Sequence, residues 1–177
     1  MKLLGHPLTA YVGLLRAVNV GGTGRLTMAD LRAMGEACGF ANCRTFIASG
    51  NLLFDSDLDE ASVKAALEAQ LETYAGKRVP VLVRTGAELA ATVAADPFPD
   101  AHGSRHMVFF YDAAPPADLI AQCRDVANEQ LALGLRELFV DYGDGIRFTK
   151  LKIAGTVDRT GRNMNSVRKL AAMLAED

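Results

Sequence analysis

The sequence predicts an α+β fold built from two ferredoxin-like halves, each with a βαββα(β) order of elements and an antiparallel or mixed sheet covered by helices. Length is the first indication, because 177 residues form one domain or two small ones that share a core. Composition is the second: 50% of the residues are hydrophobic and 23% are charged, as in ordinary globular proteins. The third is the order of apolar patterns along the chain, which alternate between strand-like and helical periods.

The first half starts with the apolar run 9–18, which predicts a buried strand followed by a loop. Thr27 and Asp30 resemble a capping box in which Asp replaces Glu, and Gly39 is placed to end the helix that begins there. The other elements of this half are predicted as two strands within 43–55, a helix capped by Ser56 and ended by Gly76, and a strand at 78–84.

The second half repeats much of this order after a short helix at 85–96. We predict a strand at 105–112 and a helix from Pro115 to about Leu133, since Pro is tolerated in a first helical turn. The Asp144-Gly145 pair predicts a hairpin between 135–141 and 145–151, and a C-terminal helix follows from Met164. This half therefore lacks the last strand of the first. The predicted organisation is a first half at 1–84, a helix and linker at 85–104 and an incomplete second half at 105–177, together forming one compact unit.

Composition also narrows the function classes. The formal net charge of −2 provides no overall field for nucleic acid, so nucleic-acid binding is the least favoured function. Three cysteines without a C-x-x-C pair support neither a disulfide framework nor a zinc site. The run Asp55-x-Asp57-x-Asp59 lacks the glycine and glutamate of a calcium loop, so we predict no metal and no cofactor. No segment is typical of a secretion signal or a membrane span, and we expect a cytoplasmic protein.

The glycine-rich stretch LLRAVNVGGTGRLT at 14–27 has two interpretations. A loop between a strand and a helix directs backbone N–H groups outward at the positive end of the helix dipole, where an anion can bind. The alternative is a glycine turn without a ligand, since neither a P-loop nor a G-x-G-x-x-G pattern is present. The candidate anion-binding residues of this loop are Arg16, Asn19, Gly21, Gly22 and Arg25.

Two further polar stretches carry candidate ligand-binding residues. Arg162 and Asn163 lie near the predicted start of the C-terminal helix, where arginines oppose the helix dipole unless an anion meets them. Asn163 can instead cap that helix, and Arg162 can pair with an acidic residue elsewhere. Ser49 and Asn51 present polar groups next to a predicted hairpin turn, and the turn alone is the simpler explanation. Ser49 is not flanked as in a G-x-S-x-G nucleophile elbow.

Three stretches together resemble one bacterial family: LRAVNVGG at 15–22, TFIASGNLLF at 45–54 and TGRNMNSV at 160–167. In this order they are similar to the motifs L-R-G-I-N-V-G-G, T-Y-I-Q-S-G-N-V-V-F and T-x-R-N-W-x-T-V-x-K-L of the domain-of-unknown-function 1697 family. The resemblance extends from Thr9 to Leu174 and implies two ferredoxin-like halves, with no established reaction. Ala17 and Ala48 depart from the family's usual glycine and polar residue, and Met164 replaces its usual tryptophan.

We predict a protein that binds a small anionic molecule carrying phosphate or carboxylate, in a pocket between its halves. Arg16 and its loop would hold the anion, and Arg162 with Asn163 would close the site from the second half. The alternative is a protein–protein interaction module, or a homodimer formed through an exposed edge strand, without catalysis. The sequence shows neither a nucleophile nor a paired acid and base, so catalytic residues are unknown and enzyme activity is left open.

Overall fold

The computed structural model describes residues 7–16, 26–46 and 50–176. Within these residues the eight strands are β1 (Thr9–Leu15), β2 (Ala41–Thr45), β3 (Asn51–Ser56), β4 (Val81–Thr85), β5 (His106–Tyr111), β6 (Gln130–Leu133), β7 (Glu137–Asp141) and β8 (Arg159–Asn163). The α-helices are α1 (Met28–Ala37), α2 (Glu60–Ala75), α3 (Gly86–Ala94), α4 (Leu119–Gln122) and α5 (Met164–Ala175), and a 3-10 turn covers Ile146–Phe148.

The strands form two four-stranded sheets, and every pairing between them is antiparallel. Sheet A has the order β2-β3-β1-β4 and sheet B has the order β6-β7-β5-β8, so the first strand of each sheet along the chain is one of its two inner strands. This is the strand order of a ferredoxin-like unit, and the predicted α+β fold class is confirmed. The chain divides into two compact units, one running to Glu88 and including the chain from Leu174, the other Leu89–Met173. That the two halves pack as one unit stays a prediction.

In the first unit, α1 and α2 cover one face of sheet A. Thr27 caps α1 as predicted, since its Oγ1 accepts a hydrogen bond from the Asp30 N–H at 3.0 Å. The predicted cap at Ser56 is wrong: Asp59 caps α2 by accepting from the Ser62 N–H at 2.8 Å, because Ser56 is still paired within β3. The core beneath the two helices includes Tyr11, Leu15, Leu31, Met34, Phe40, Leu52, Phe54, Val63, Leu67, Leu71, Val81 and Val83.

The second unit covers the corresponding face of sheet B in a different way. Its core contains Tyr111, Leu119, Leu138, Val140 and Tyr142. The short helix α4 supplies Leu119, and the irregular chain after β7 supplies Leu151 and Ile153, which pack against the cluster. Helical cover is thus largely replaced by extended chain.

The helix predicted from Pro115 to Leu133 is wrong. Only Leu119–Gln122 is helical, and Gln130–Leu133 is the edge strand β6. Over so short a run, the apolar positions fit a helix and a strand equally well. Pairing with β7 favours the strand, because Leu131 and Leu133 lie opposite Val140 and Leu138.

The hairpin predicted at Asp144-Gly145 is also wrong. Residues 146–148 form a 3-10 turn in which Phe148 is exposed, and β7 pairs instead with β5 and β6. The second sheet does not lack its last strand, because Arg159–Asn163 pairs with β5 as strand β8. Residues 142–158, which join β7 to β8, contain the 3-10 turn and no α-helix.

Candidate functional site

Asn163 lies at the junction where β8 ends and α5 begins. Its Oδ1 accepts a hydrogen bond from the Ser166 N–H at 2.9 Å, three residues further on, which is the geometry of an N-terminal helix cap. Met164, the first residue of α5, is fully buried. The capping interpretation of Asn163 therefore accounts for its position.

Arg162 precedes this cap and lies within β8, opposite Val108 of β5. Its side chain is only 6% exposed. Its Nη1 donates to Thr160 Oγ1 at 2.8 Å and to the Gly161 carbonyl at 2.9 Å. Burial lowers the pKa of the guanidinium to about 10, since desolvation disfavours the charged form. At neutral pH the group is still protonated, so the second unit carries a buried positive charge.

Arg84 is the counterpart of Arg162 in the first unit, and sequence reasoning missed it. It is the second-to-last residue of β4 and lies opposite Val12 of the central strand, as Arg162 lies opposite Val108. It is 1% exposed, and its Nη1 donates to the Val83 carbonyl at 3.0 Å. The available signal was a charged residue at the end of the apolar run VPVLVR, immediately before Thr85, whose Oγ1 accepts from the Glu88 N–H at the start of α3.

Arg16 and Asn51 lie at the same end of sheet A. Asn51 is opposite Leu14, and the Leu15 N–H donates to the Gly50 carbonyl at 2.9 Å. The Asn51 side chain is fully buried, and its Nδ2 donates to the Phe46 carbonyl at 2.9 Å, which ties the start of β3 to the residue that follows β2. Arg16 is exposed, and its N–H donates to the Pro80 carbonyl at 3.0 Å. The turn interpretation of Asn51 is thus supported by its bonding.

Five of the predicted ligand residues lie outside the described residues: Asn19, Gly21, Gly22, Arg25 and Ser49. Arg16 belongs to the first unit and Arg162 to the second. Their joint contact with one ligand stays a prediction.

His106, at the start of β5, is a further polar feature, and it is fully buried although the sequence favours a surface histidine at this position. Its Nε2 lies 3.4 Å from Asp96 Oδ1, but among the described residues neither ring nitrogen has a hydrogen-bond partner of good geometry. Arg168 Nη2 lies 3.5 Å from the other Asp96 oxygen. Desolvation lowers the pKa of His106, against the opposing effect of Asp96 and Asp141. Its complete burial makes it a structural group rather than a base that substrate can reach.

In 7–16, 26–46 and 50–176, no three His, Cys, Asp or Glu side chains come together in a way that would hold a metal ion. Over the same ranges, none of the helices combines the length and apolar character that crossing a bilayer requires.

Comparison with known proteins identifies the family. Residues 8–139 match the model of the family described as "Protein of unknown function (DUF1697)". The chain is also similar to the solved structure of a conserved bacterial protein, SP0830 from Streptococcus pneumoniae, with a TM-score of 0.74 and 20% sequence identity over 96% of this chain and 100% of that chain. At that identity the likeness concerns the fold. No curated protein sequence matches. The predicted resemblance is confirmed, and the chain belongs to the DUF1697 family of proteins of unknown function.

Proposed function

We propose that the protein binds a small molecule carrying a phosphate or carboxylate group, with Arg162 as the principal contact. The observation that carries this proposal is a guanidinium that is 6% exposed yet, with a pKa of about 10, remains charged at neutral pH. A charged guanidinium makes stronger hydrogen bonds to carboxylate and phosphate oxygens than a neutral donor does, and its planar fork matches the shape of those groups. A ligand carrying such a group is therefore the partner that this position suits.

The hydrogen bonds of Arg162 support this role by fixing its orientation. Nη1 donates to Thr160 and to Gly161, and these two bonds hold one edge of the planar group against its own strand. A guanidinium presents five N–H donors in a rigid fork, which suits two-point contact with a carboxylate or phosphate. A fixed fork loses little conformational entropy when it binds such a group.

Arg16 and the loop that follows it are the proposed second contact with the anion. Arg16 contributes an exposed cation at one end of sheet A, and the adjoining glycines permit close approach of an anion to the backbone. This part of the proposal rests on the sequence pattern and on the family motif. It is tested separately from the role of Arg162.

The experiment is a thermal-shift measurement with inorganic phosphate, citrate and AMP at up to about 10 mM, which detects a Kd as weak as about 1 mM. We expect at least one probe to raise the melting temperature of the wild-type protein and the Arg162→Met variant to lose that shift. Methionine is chosen because replacing a buried charge by an apolar chain of similar length is often tolerated. Arg84→Met is the matched control, with equal register and burial, and it should keep the shift.

Arg16→Ala tests the second contact. If both arginines contact one ligand, this variant also loses the shift, and a double variant with Arg162→Met loses no more than either single one. A flat response of the wild-type protein to all three probes would contradict the proposal.

The alternative function, an interaction module or homodimer, has one observation in its favour. Strand β6 lies at an edge of sheet B, and the exposed Leu135 follows it. Edge strands can pair with a second chain. Under this alternative, sedimentation would show a dimer that Leu131→Pro in β6 disrupts, since proline removes a backbone donor, and no probe would shift the melting temperature.

A further inference from the structure

The second unit contains a pocket that neither the sequence motifs nor the family resemblance indicate. Its volume is about 640 Å³, within the roughly 300–1,000 Å³ that is usual for small-molecule sites. The lining residues are Gln122, Arg124, Lys152, Ile153, Ala154 and Gly155. Gln122 is the last residue of α4, Arg124 follows that helix, and the other four belong to the irregular connection between β7 and β8.

Two cations stand side by side in this pocket because of an isolated antiparallel bridge. The Arg124 N–H donates to the Lys152 carbonyl at 3.0 Å, and the Lys152 N–H donates to the Arg124 carbonyl at 2.9 Å. Residues that exchange both hydrogen bonds in an antiparallel pair lie directly opposite each other, with side chains on the same face and Cβ atoms about 5.5 Å apart. The bridge therefore holds a guanidinium and an ammonium over one opening.

Like charges directly opposite each other in such a pair are destabilising. The compensation available nearby is weak: Lys152 Nζ is 3.8 Å from Asp125 Oδ2, and these side chains are 75% and 56% exposed. A local arrangement that disfavours stability is typical of positions kept for function. An anion bound between Arg124 and Lys152 would convert the repulsion into attraction.

The rest of the lining suits an organic ligand rather than a bare ion. Ile153 and Ala154 pack against the apolar cluster of the second unit and give the pocket a half-buried apolar wall. Gly155 has a φ of +94°, and a Cβ there would meet no atom within 4 Å, so the backbone borders open space. Gln122 is held in place by a 2.7 Å bond from its Nε2 to Asp118 Oδ2.

This pocket is separate from Arg162. Ile153 and Ala154 pack against the same apolar cluster as Met107 and Phe109 of β5, whereas Arg162 lies opposite Val108. Successive residues of a strand point to opposite faces of its sheet, so the pocket and Arg162 are on different faces of sheet B.

We propose that this pocket binds a small organic phosphate, with its phosphate between Arg124 and Lys152 and its organic part against Ile153 and Ala154. The assignment does not depend on the proposed role of Arg162. The two cations and the apolar wall together favour a phosphate ester over inorganic phosphate alone.

Isothermal titration of the full chain with AMP, and separately with inorganic pyrophosphate, tests the proposal. We expect AMP to bind, and the Arg124→Gln/Lys152→Gln variant to bind it at least about tenfold more weakly, because two charge-assisted contacts are removed. Both side chains are exposed, so the variant should keep its fold, which circular dichroism checks. Arg32→Gln, an exposed cation on α1, is the matched control and should bind AMP as the wild-type protein does.

The outcomes separate this proposal from the previous one. AMP binding that survives Arg162→Met, but loses one equivalent of stoichiometry or at least about tenfold in affinity in the double variant, supports the pocket. Unchanged affinity and stoichiometry in the double variant overturn the pocket and leave the proposed function of Arg162 to its own test. Pyrophosphate binding without AMP binding overturns the organic phosphate, and no binding of either probe at about 10 mM overturns the site.

Discussion

The two units have the same strand order but different cover on their sheets. In the first, the connection from β3 to β4 contains the 16-residue helix α2, and α1 has 10 residues. In the second, α4 has four residues and the connection from β7 to β8 contains no α-helix. The strand order is thus kept while the helical layer is rebuilt. The connection from β7 to β8, which has no α-helix, is also the segment whose Lys152 pairs with Arg124. The pocket of the second unit therefore lies where the first unit has a helix.

The pairing of β1 with β4 in sheet A and of β5 with β8 in sheet B also keeps the same register with different residues. In sheet A, Gly13 lies opposite Val83, and in sheet B, Phe109 lies opposite Gly161. The small and the large residue have exchanged strands. A Cβ on Gly161 would come within 2.8 Å of the Phe109 ring. Each pair therefore combines one glycine with one larger side chain. The two sheets share the same register here, although the residues at both positions differ.

The largest effect is expected from truncating the helical cover. Leu67→Ala in α2 should lower the free energy of unfolding by about 2–5 kcal/mol, because the fully buried side chain leaves a cavity under a rigid helix. Leu151→Ala in the irregular cover of the second unit should cost less, under about 2 kcal/mol, because the side chain is only partly buried. Urea unfolding followed by circular dichroism measures both, with the exposed Leu135→Ala as a control near zero. Equal losses at Leu67 and Leu151 would show that extended chain covers a sheet as effectively as a helix.

The same contrast explains what the sequence could predict. The helices of the first unit were predictable because caps and glycines mark their ends, as Thr27, Gly39 and Gly76 do. Strand β8 was not, because RTGRN contains no apolar run and becomes a strand only through its pairing with β5. The pocket was not predictable either, since Arg124 and Lys152 are far apart in sequence and meet at an isolated bridge.

The second prediction concerns His106, which occupies the register position that Ala10 has in sheet A, since they lie opposite Asp141 and Asp55 respectively. Desolvation lowers the pKa of His106 below its ordinary 6.5, so below that pH the unfolded chain binds a proton that the folded chain resists. Stability should therefore fall as the pH drops through 6.5 towards the lower folded pKa, by at most about 1.4 kcal/mol per pH unit.

His106→Leu, which keeps an apolar side chain of similar bulk, removes this proton. Unfolding free energies of wild type and variant are compared from about pH 8 to pH 5. We expect the difference between the two curves to shift in favour of the variant as the pH decreases. Parallel curves would mean that Asp96 and Asp141 offset the desolvation of the ring.

The smallest effect is expected at two equivalent helix caps. Thr85 and Glu88 bond reciprocally at the start of α3, with distances of 2.9 and 3.1 Å, and Asn163 caps α5 through the Ser166 N–H at 2.9 Å. Thr85→Ala and Asn163→Ala should each lower the free energy of unfolding by about 1 kcal/mol. Asn163→Ser restores a capping oxygen and should recover most of that loss. If Asn163 also contacts the anionic ligand, the serine variant will regain stability but not the ligand-induced thermal shift; if it regains both, the asparagine acts only as a cap.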